Sequence, residues 1–422
     1  MQKKETLRLR KYETAILNCS KSYLMKLEKV IKRTRITNNP VGAHALACLC
    51  DLLVAHPQFN YAPNIIKLVV PYLDCPSEDA RFAVRAAFER LFAGDKRGEI
   101  SLVAVRHIKS YVKSRKYACR AAAIECLLKL RLQYVDVAAA EEEAKRAKKR
   151  REEMSKKERK RHKQLQKVEK EMLEAKGEES RQLRNRNFTE VSKAVFEMLF
   201  RIIKAFGDGA ETAEVKKQHQ LLSPALRCIS AFGHTINVDF FDDLLRVLSG
   251  LLRSGALSSQ SERLLCVKTA FDILTGPGEF LTYDPGYFTQ TLYEMLPRLD
   301  LNVPGCAASV CSVLRNMLVR RKKLVSRDTV QAFAKAVSFA ALQMDPEDAR
   351  AFGETLQAIK SAHLRTFEAL LDNEEHVPGK VSSYSLGDLN VGTLSLWELN
   401  LLTAHYEKPV VDACRTLTSI SQ

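Results

Sequence analysis

The chain has 422 residues, with 67 Lys and Arg against 50 Asp and Glu and a formal net charge of +17 at pH 7. This length predicts roughly two domains. No run approaches the roughly 18 apolar residues of a membrane-spanning helix, and the opening MQKKETLRLRKYETAIL lacks the apolar core of a secretory signal. The sequence therefore predicts neither a membrane association nor secretion.

The positive charge is concentrated in two windows. Residues 1–35 carry eleven Lys and Arg against three Glu, a net charge of +8. Residues 145–163 carry twelve against three, a net charge of +9. The two windows together equal the whole formal excess, so the rest of the chain is neutral. Local basic segments of this kind favour a polyanionic partner such as RNA, DNA or an acidic protein tail.

Residues 1–40 predict a basic amphipathic helix over 3–35, which ends before Pro40 because the residue preceding a proline disfavours the α conformation. Its apolar residues recur at helical spacing and are Leu7, Tyr12, Ile16, Tyr23, Leu27, Val30 and Ile31. Basic residues fill the intervening positions. We expect the apolar face to pack on the following helices or on a partner.

Residues 41–137 predict an N-terminal helical-repeat domain with helices over 44–54, 64–73, 77–92, 99–112 and 116–134. Leucines at 52, 91 and 127 recur 39 and 36 residues apart. A period near 40 with two helices per repeat is typical of HEAT and armadillo repeats. An irregular helical bundle is the alternative.

Residues 138–187 predict a long charged helix that joins two helical halves. They are rich in Ala, Glu, Lys, Arg and Gln and contain one glycine and no proline. Fully helical, the segment would span roughly 70 Å.

Residues 188–422 predict a C-terminal helical-repeat domain. Its predicted helices cover 190–206, 218–232, 238–252, 261–274, 287–299, 307–319, 327–342 and 347–371. A polar loop is expected over 376–392, and the tail 394–416 is expected to form a helix that caps the stack. The fold class is therefore predicted as all-α, with two HEAT/armadillo-like halves joined by a long basic helix.

Motifs for catalysis, cofactors and metals are missing from the sequence. It has no phosphate-binding loop, dinucleotide fingerprint, nucleophile elbow or H-E-x-x-H pattern. None of the eleven cysteines forms a C-x-x-C pair, so we interpret them as small buried thiols rather than zinc ligands. The prediction is a protein that is not an enzyme, with no catalytic residues, metal, cofactor or small-molecule substrate.

Three sets of residues are candidates for binding. The first is predicted to contact the phosphate backbone of a nucleic acid or an import receptor, and comprises Lys145, Arg146, Lys148, Lys149, Arg150, Arg151, Lys156, Lys157, Arg159, Lys160, Arg161 and Lys163. A secondary basic arm comprises Lys3, Lys4, Arg8, Arg10, Lys11, Lys32, Arg33 and Arg35. A tail that contacts a partner is predicted at Trp397 and Tyr406. A solvated helix with i,i+4 ion pairs is the alternative for the first set.

Four stretches resemble the nucleolar complex protein three family. Its central signature resembles MSKKERKRHKQLQKVEKEMLEAKGEES at 154–180, and its opening resembles LRLRKYETAILNCSKSYLMKLEKVI at 7–31. GPGEFLTYDPGYFTQTLYEML at 276–296 and LWELNLLTAHYEKPVV at 396–411 are similar to the CBF-type domain that nucleolar complex proteins share. Two departures limit what is carried over: the family's long N-terminal extension is not in this sequence, and Lys408 replaces a usual histidine.

The resemblance implies a non-enzymatic factor of the nucleolus and nucleus. It implies a role in assembly and intranuclear transport of precursors of the large (60S) ribosomal subunit, in a helical-repeat heterodimer with nucleolar complex protein two. The pre-60S particle, with its rRNA and assembly factors, and an import receptor are the other expected partners. The alternative is a nuclear scaffold associated with chromatin and replication licensing.

Overall fold

The structure is a computed structural model that describes residues 2–34, 40–132, 181–207, 213–235, 240–255, 257, 259–276, 283–298, 303, 305–371 and 395–418. Within those ranges all the regular secondary structure is helical, which confirms the predicted all-α class. The chain divides into two compact units, Met1–Asn237 and Val238–Gln422.

The first unit contains eight described α-helices. They are α1 (Gln2–Arg33), α2 (Pro40–Ala55), α3 (Ala62–Val69), α4 (Glu78–Gly94), α5 (Glu99–Ser114), α6 (Ala122–Glu125), α7 (Arg181–Gly207) and α8 (Ala213–Phe232). Short 3₁₀ turns follow α3 (Val70–Asp74), α6 (Cys126–Lys129) and α8 (Gly233–Thr235).

Local sequence signals explain several of these boundaries. Pro71 cannot donate a backbone hydrogen bond, and at this point α3 tightens into the 3₁₀ turn Val70–Asp74. The Ser77 hydroxyl accepts a hydrogen bond from the Ala80 amide at 3.5 Å, so this side chain caps the start of α4.

Helices in the first unit pack on their second neighbours along the chain. Helix α2 packs on α4, which packs on the turn Cys126–Lys129, while α3 packs on α5 and α5 packs on α7. At the last of these contacts the Lys109 ammonium lies 2.5 Å from the Glu197 carboxylate. The helices on either side of residues 133–180 thus share one compact unit, whereas the sequence analysis assigned them to two domains.

One predicted helix of this unit is wrong in its described part. The sequence predicts a single helix over 116–134, but Lys116 and Tyr117 have left-handed backbone angles, with φ of 51° and 63°. Two such residues in succession cannot belong to an α-helix. The chain turns there, and helical structure resumes only at α6.

The second unit contains nine described α-helices. They are α9 (Phe241–Arg253), α10 (Gln260–Thr275), α11 (Gly286–Met295), α12 (Cys306–Leu314), α13 (Arg327–Ala341), α14 (Pro346–Ala362), α15 (Leu364–Leu371), α16 (Glu398–Thr403) and α17 (Lys408–Thr418). Short turns Leu296–Arg298 and Lys322–Leu324 are 3₁₀, and Arg315–Arg320 forms a π-helical turn.

Packing of helices on second neighbours also occurs in the second unit. Helix α10 packs on α12, α12 on α14 and α14 on α17, while α13 packs on α14, α15 and α16. Gly353 permits a close approach of α17, because a Cβ at that position would lie 3.2 Å from the Ala413 Cβ. Fully buried phenylalanines such as Phe271, Phe333 and Phe352 fill the core.

Two predicted helices of this unit are interrupted. The helix predicted over 347–371 is two helices, α14 and α15, separated at His363, whose backbone leaves the helical region. The tail forms α16 and α17 rather than one element. Both pack on earlier helices of the unit, α16 on α13 and α17 on α14.

Candidate nucleic-acid interface

The structure places the three predicted sets of site residues differently. The first set, between Lys145 and Lys163, lies outside the described residues, as does Arg35. The rest of the secondary basic arm lies on α1. Trp397 and Tyr406 lie in the tail of the second unit and are 46% and 80% exposed.

Helix α1 is anchored at its C-terminal end. Ile31 is 2% exposed, and the helix packs on α2. Residues 4–16, by contrast, are exposed on every side of the helix, including Leu7 and Tyr12. About two-fifths of a helix roughly 48 Å long is therefore accessible around its whole circumference.

One side of α1 carries a row of exposed basic residues. We name it the basic stripe, and its members are Lys4, Arg8, Lys11, Lys26, Lys29 and Arg33. They share a helix side because successive members are three or four residues apart. Between Lys11 and Lys26 the same spacing continues through the small or polar residues at 15, 18 and 22.

The acidic residues of α1 lie away from the basic stripe. Helical spacing puts Glu5, Glu13 and Glu28 on other sides of the helix. The Glu28 carboxylate instead lies 2.6 Å from the Lys32 ammonium, an i,i+4 pair. Lys32 belongs to the predicted arm, but it faces this glutamate and not the stripe.

The stripe has the chemistry for binding phosphate groups. No carboxylate lies between these exposed cations to weaken their electrostatic potential. When such cations neutralise the phosphates of a nucleic acid, counterions bound to the phosphates are released. Aromatic residues for base stacking are missing from the stripe itself, so it would read the backbone and not the sequence. The predicted basic arm does not include Lys26 and Lys29, although their helical register with Lys11 and Arg33 identifies them.

The two tail residues have different surroundings. The Lys335 ammonium of α13 lies 5.0 Å from the centre of the Trp397 ring. The same ammonium is 2.6 Å from the Glu398 carboxylate and donates to the Ser395 carbonyl at 2.7 Å. Glu398 is fully buried, so this cluster fixes the start of α16 on α13. Tyr406 stacks on a neighbouring histidine ring at 4.3 Å and remains exposed.

The thiols behave as buried apolar groups in most positions. Eight of the eleven cysteines are buried, whereas Cys19 and Cys48 are exposed. Burial raises the pKa of the Cys228 thiol to about 12, with the nearby Glu125 charge adding to the effect. Such thiols are poor nucleophiles at neutral pH. The part of the chain that the structure describes contains no group of three His, Cys, Asp or Glu side chains placed to hold a metal ion.

None of the helices in the described ranges is long and apolar enough to cross a membrane.

The class of protein follows from comparison with known families. Residues 263–414, from α10 to α17, match the model of the CBF/Mak21 family. The chain is thus an all-helical protein whose second unit carries a CBF/Mak21 domain.

The resemblance extends over nearly the whole chain. The chain is 34% identical to "Nucleolar complex protein 3 homolog" of Danio rerio over 97% of its own length and 52% of that protein. The proteins of the same name from Cricetulus griseus and Homo sapiens are 36% and 35% identical over the same shares. The predicted resemblance to nucleolar complex protein three is thereby confirmed, and the chain spans about half the length of these curated relatives.

Proposed function

We propose that this chain is a non-enzymatic helical scaffold that acts in the nucleolus and nucleus on precursors of the large (60S) ribosomal subunit. The names of its relatives supply the nucleolar setting. The observation that carries the proposed contact with rRNA is the basic stripe, an exposed row of cations on a helix anchored only near its end.

The scaffold is built, in this proposal, from HEAT- or armadillo-like repeats. The packing of helices on second neighbours in both units supports this, since stacked helix pairs bury one another's apolar faces in the same way. The heterodimer with nucleolar complex protein two and the role in intranuclear transport come from the family resemblance alone.

Residues 145–163 are proposed to bind an import receptor or rRNA phosphates. Replacing the twelve Lys and Arg of that segment with Gln separates the two roles. Loss of nuclear entry with unchanged rRNA affinity assigns import, and loss of rRNA affinity assigns phosphate binding.

The test of the stripe is a salt titration of RNA affinity. We expect Lys4→Gln/Arg8→Gln/Lys11→Gln to weaken binding of a fluorescent large-subunit rRNA fragment and to reduce the slope of log affinity against log salt by about two. The matched control neutralises three exposed lysines elsewhere in the first unit, Lys96, Lys193 and Lys204. We expect the control to keep the slope of the unaltered protein.

Sedimentation then tests the biological assignment. We expect the tagged full-length chain to co-sediment with precursors of the large subunit at low salt. A chain that sediments free of these particles would falsify the scaffold proposal. The alternative, a chromatin-associated scaffold, predicts an association that survives RNase treatment and is lost with DNase.

A further inference from the structure

Helices α1, α2 and α3 line a groove of about 570 Å³ on a side of α1 that adjoins the basic stripe. Its apolar lining comes from Leu24, Met25, Leu49, Ile65 and Leu68. Met25 is 48% exposed, so the lining is open to solvent at this residue. An open apolar groove between helices suits an amphipathic helix, which buries one side and keeps the other in water.

The charged residues along the groove are mostly basic. Lys21 and Lys32 line it from α1, and Lys67 lines it from α3. The acidic residue of the lining is Glu28, whose carboxylate lies 2.6 Å from the Lys32 ammonium. The groove therefore presents a net positive edge over an apolar base.

The same side of α1 continues past the groove toward the N-terminus. Leu7, Arg10 and Leu17 follow the helical register of Lys21 and Leu24, and Leu7 is 56% exposed. This side thus carries one further basic residue, Arg10, between two leucines. A bound helix that carried acidic residues would meet complementary charge at Arg10 as well as at the lysines of the groove.

We propose that this groove binds an acidic amphipathic helix of a partner protein. Apolar side chains of that helix at i, i+3, i+4 and i+7 would enter the groove beside Met25, and its carboxylates would face Lys21 and Lys67. The inference rests on the groove alone and does not depend on the proposed rRNA contact, which uses a different, adjoining side of α1.

The experiment is an unbiased selection. A displayed library of randomised peptides of about 16 residues, roughly four helical turns, is selected on the full chain and counter-selected on Met25→Asp. We expect enriched peptides that are acidic and carry Leu, Ile or Phe at helical spacing. Enrichment of basic or unpatterned peptides, or no enrichment over the Met25→Asp chain, overturns the proposal.

Variants then locate the bound peptide by fluorescence anisotropy. We expect Met25→Asp to weaken binding of the enriched peptide about thirtyfold, since the substitution places a charge in the apolar contact. Lys21→Glu/Lys67→Glu should weaken binding of the same peptide about tenfold. The matched control, Lys193→Glu/Lys204→Glu, makes the same charge change on α7, which does not line the groove, and should stay within about twofold.

Two results would assign another occupant. If peptide affinity falls as much for Lys193→Glu/Lys204→Glu as for Lys21→Glu/Lys67→Glu, the attraction is general and the groove is not the site. If ultracentrifugation shows a dimer of the chain that Met25→Asp abolishes, a second copy fills the groove. Either result overturns the proposal, and neither changes the rRNA test with Lys4, Arg8 and Lys11.

Discussion

Lysines on α1 and lysines on α13 and α14 lie in opposite surroundings. Lys26 and Lys29 of α1 are exposed members of the basic stripe. The Lys335 side chain of α13 is 12% exposed and contacts a fully buried carboxylate. Lys360 of α14 is 8% exposed, and its ammonium donates to the Leu417 carbonyl at 3.0 Å.

The difference shows that charge composition alone does not locate a polyanion site. A buried ammonium is held by carboxylates and carbonyls, because leaving it without partners would cost several kcal/mol. It stabilises the fold and is unavailable to a ligand. An exposed ammonium in a row that no carboxylate interrupts contributes little to folding and is available to bind phosphate. Variants of the two groups should therefore separate stability from binding.

The largest effect on stability is expected at Lys335. Lys335→Ala leaves the buried Glu398 carboxylate without its cation, and we expect the second unit to lose about 3 kcal/mol of unfolding free energy. Trp397 is the single tryptophan of the chain and adjoins this pair, so its fluorescence during urea unfolding reports on the site.

The control for this prediction removes both charges. Lys335→Ala/Glu398→Leu has no orphaned carboxylate, and we expect it to recover most of the lost stability. A double variant as unstable as Lys335→Ala would show that the lysine acts through its packing and not through its charge.

A smaller effect is expected at Lys360, which ties α14 to the end of α17. Lys360→Met keeps most of the side-chain volume but leaves the Leu417 carbonyl without this donor, at a cost of about 1–2 kcal/mol. Urea unfolding followed by circular dichroism measures the loss. Lys322→Met, at an exposed position of the same unit, should change the stability by less than about 0.5 kcal/mol. Equal effects at the two positions would contradict a structural role for the buried ammonium.

Local signals made much of the fold predictable. The apolar spacing of α1 and the proline at its end gave its bounds to within a few residues, and Ser77 marked the start of α4. The bend at Lys116 and Tyr117 was not predictable, because neither residue is a glycine and apolar residues resume directly at Tyr117. The break at His363 is hidden for the same reason, since neither proline nor glycine marks it.

The candidate site was predictable in kind and less so in detail. Counting charges located the basic arm on α1, but only helical register separates the stripe from Lys32, which pairs with Glu28. The role of Trp397 depends on Lys335, and the structure links this lysine to Ser395, 60 positions away. No local pattern reveals a contact over that separation, so Trp397 could be singled out but its cation partner could not.

The smallest effect on stability is expected for the basic stripe. Lys26→Ala/Lys29→Ala removes two exposed charges from α1 and introduces the best helix former, so the unfolding free energy should change by less than about 0.5 kcal/mol. The affinity for the rRNA fragment should nevertheless fall, with the salt slope reduced by about one to two. Unfolding by urea and RNA titration on the same preparation measure both quantities. A loss of more than about 1 kcal/mol of stability would mean that these lysines hold the fold as Lys335 does, and the contrast between the two groups would fail.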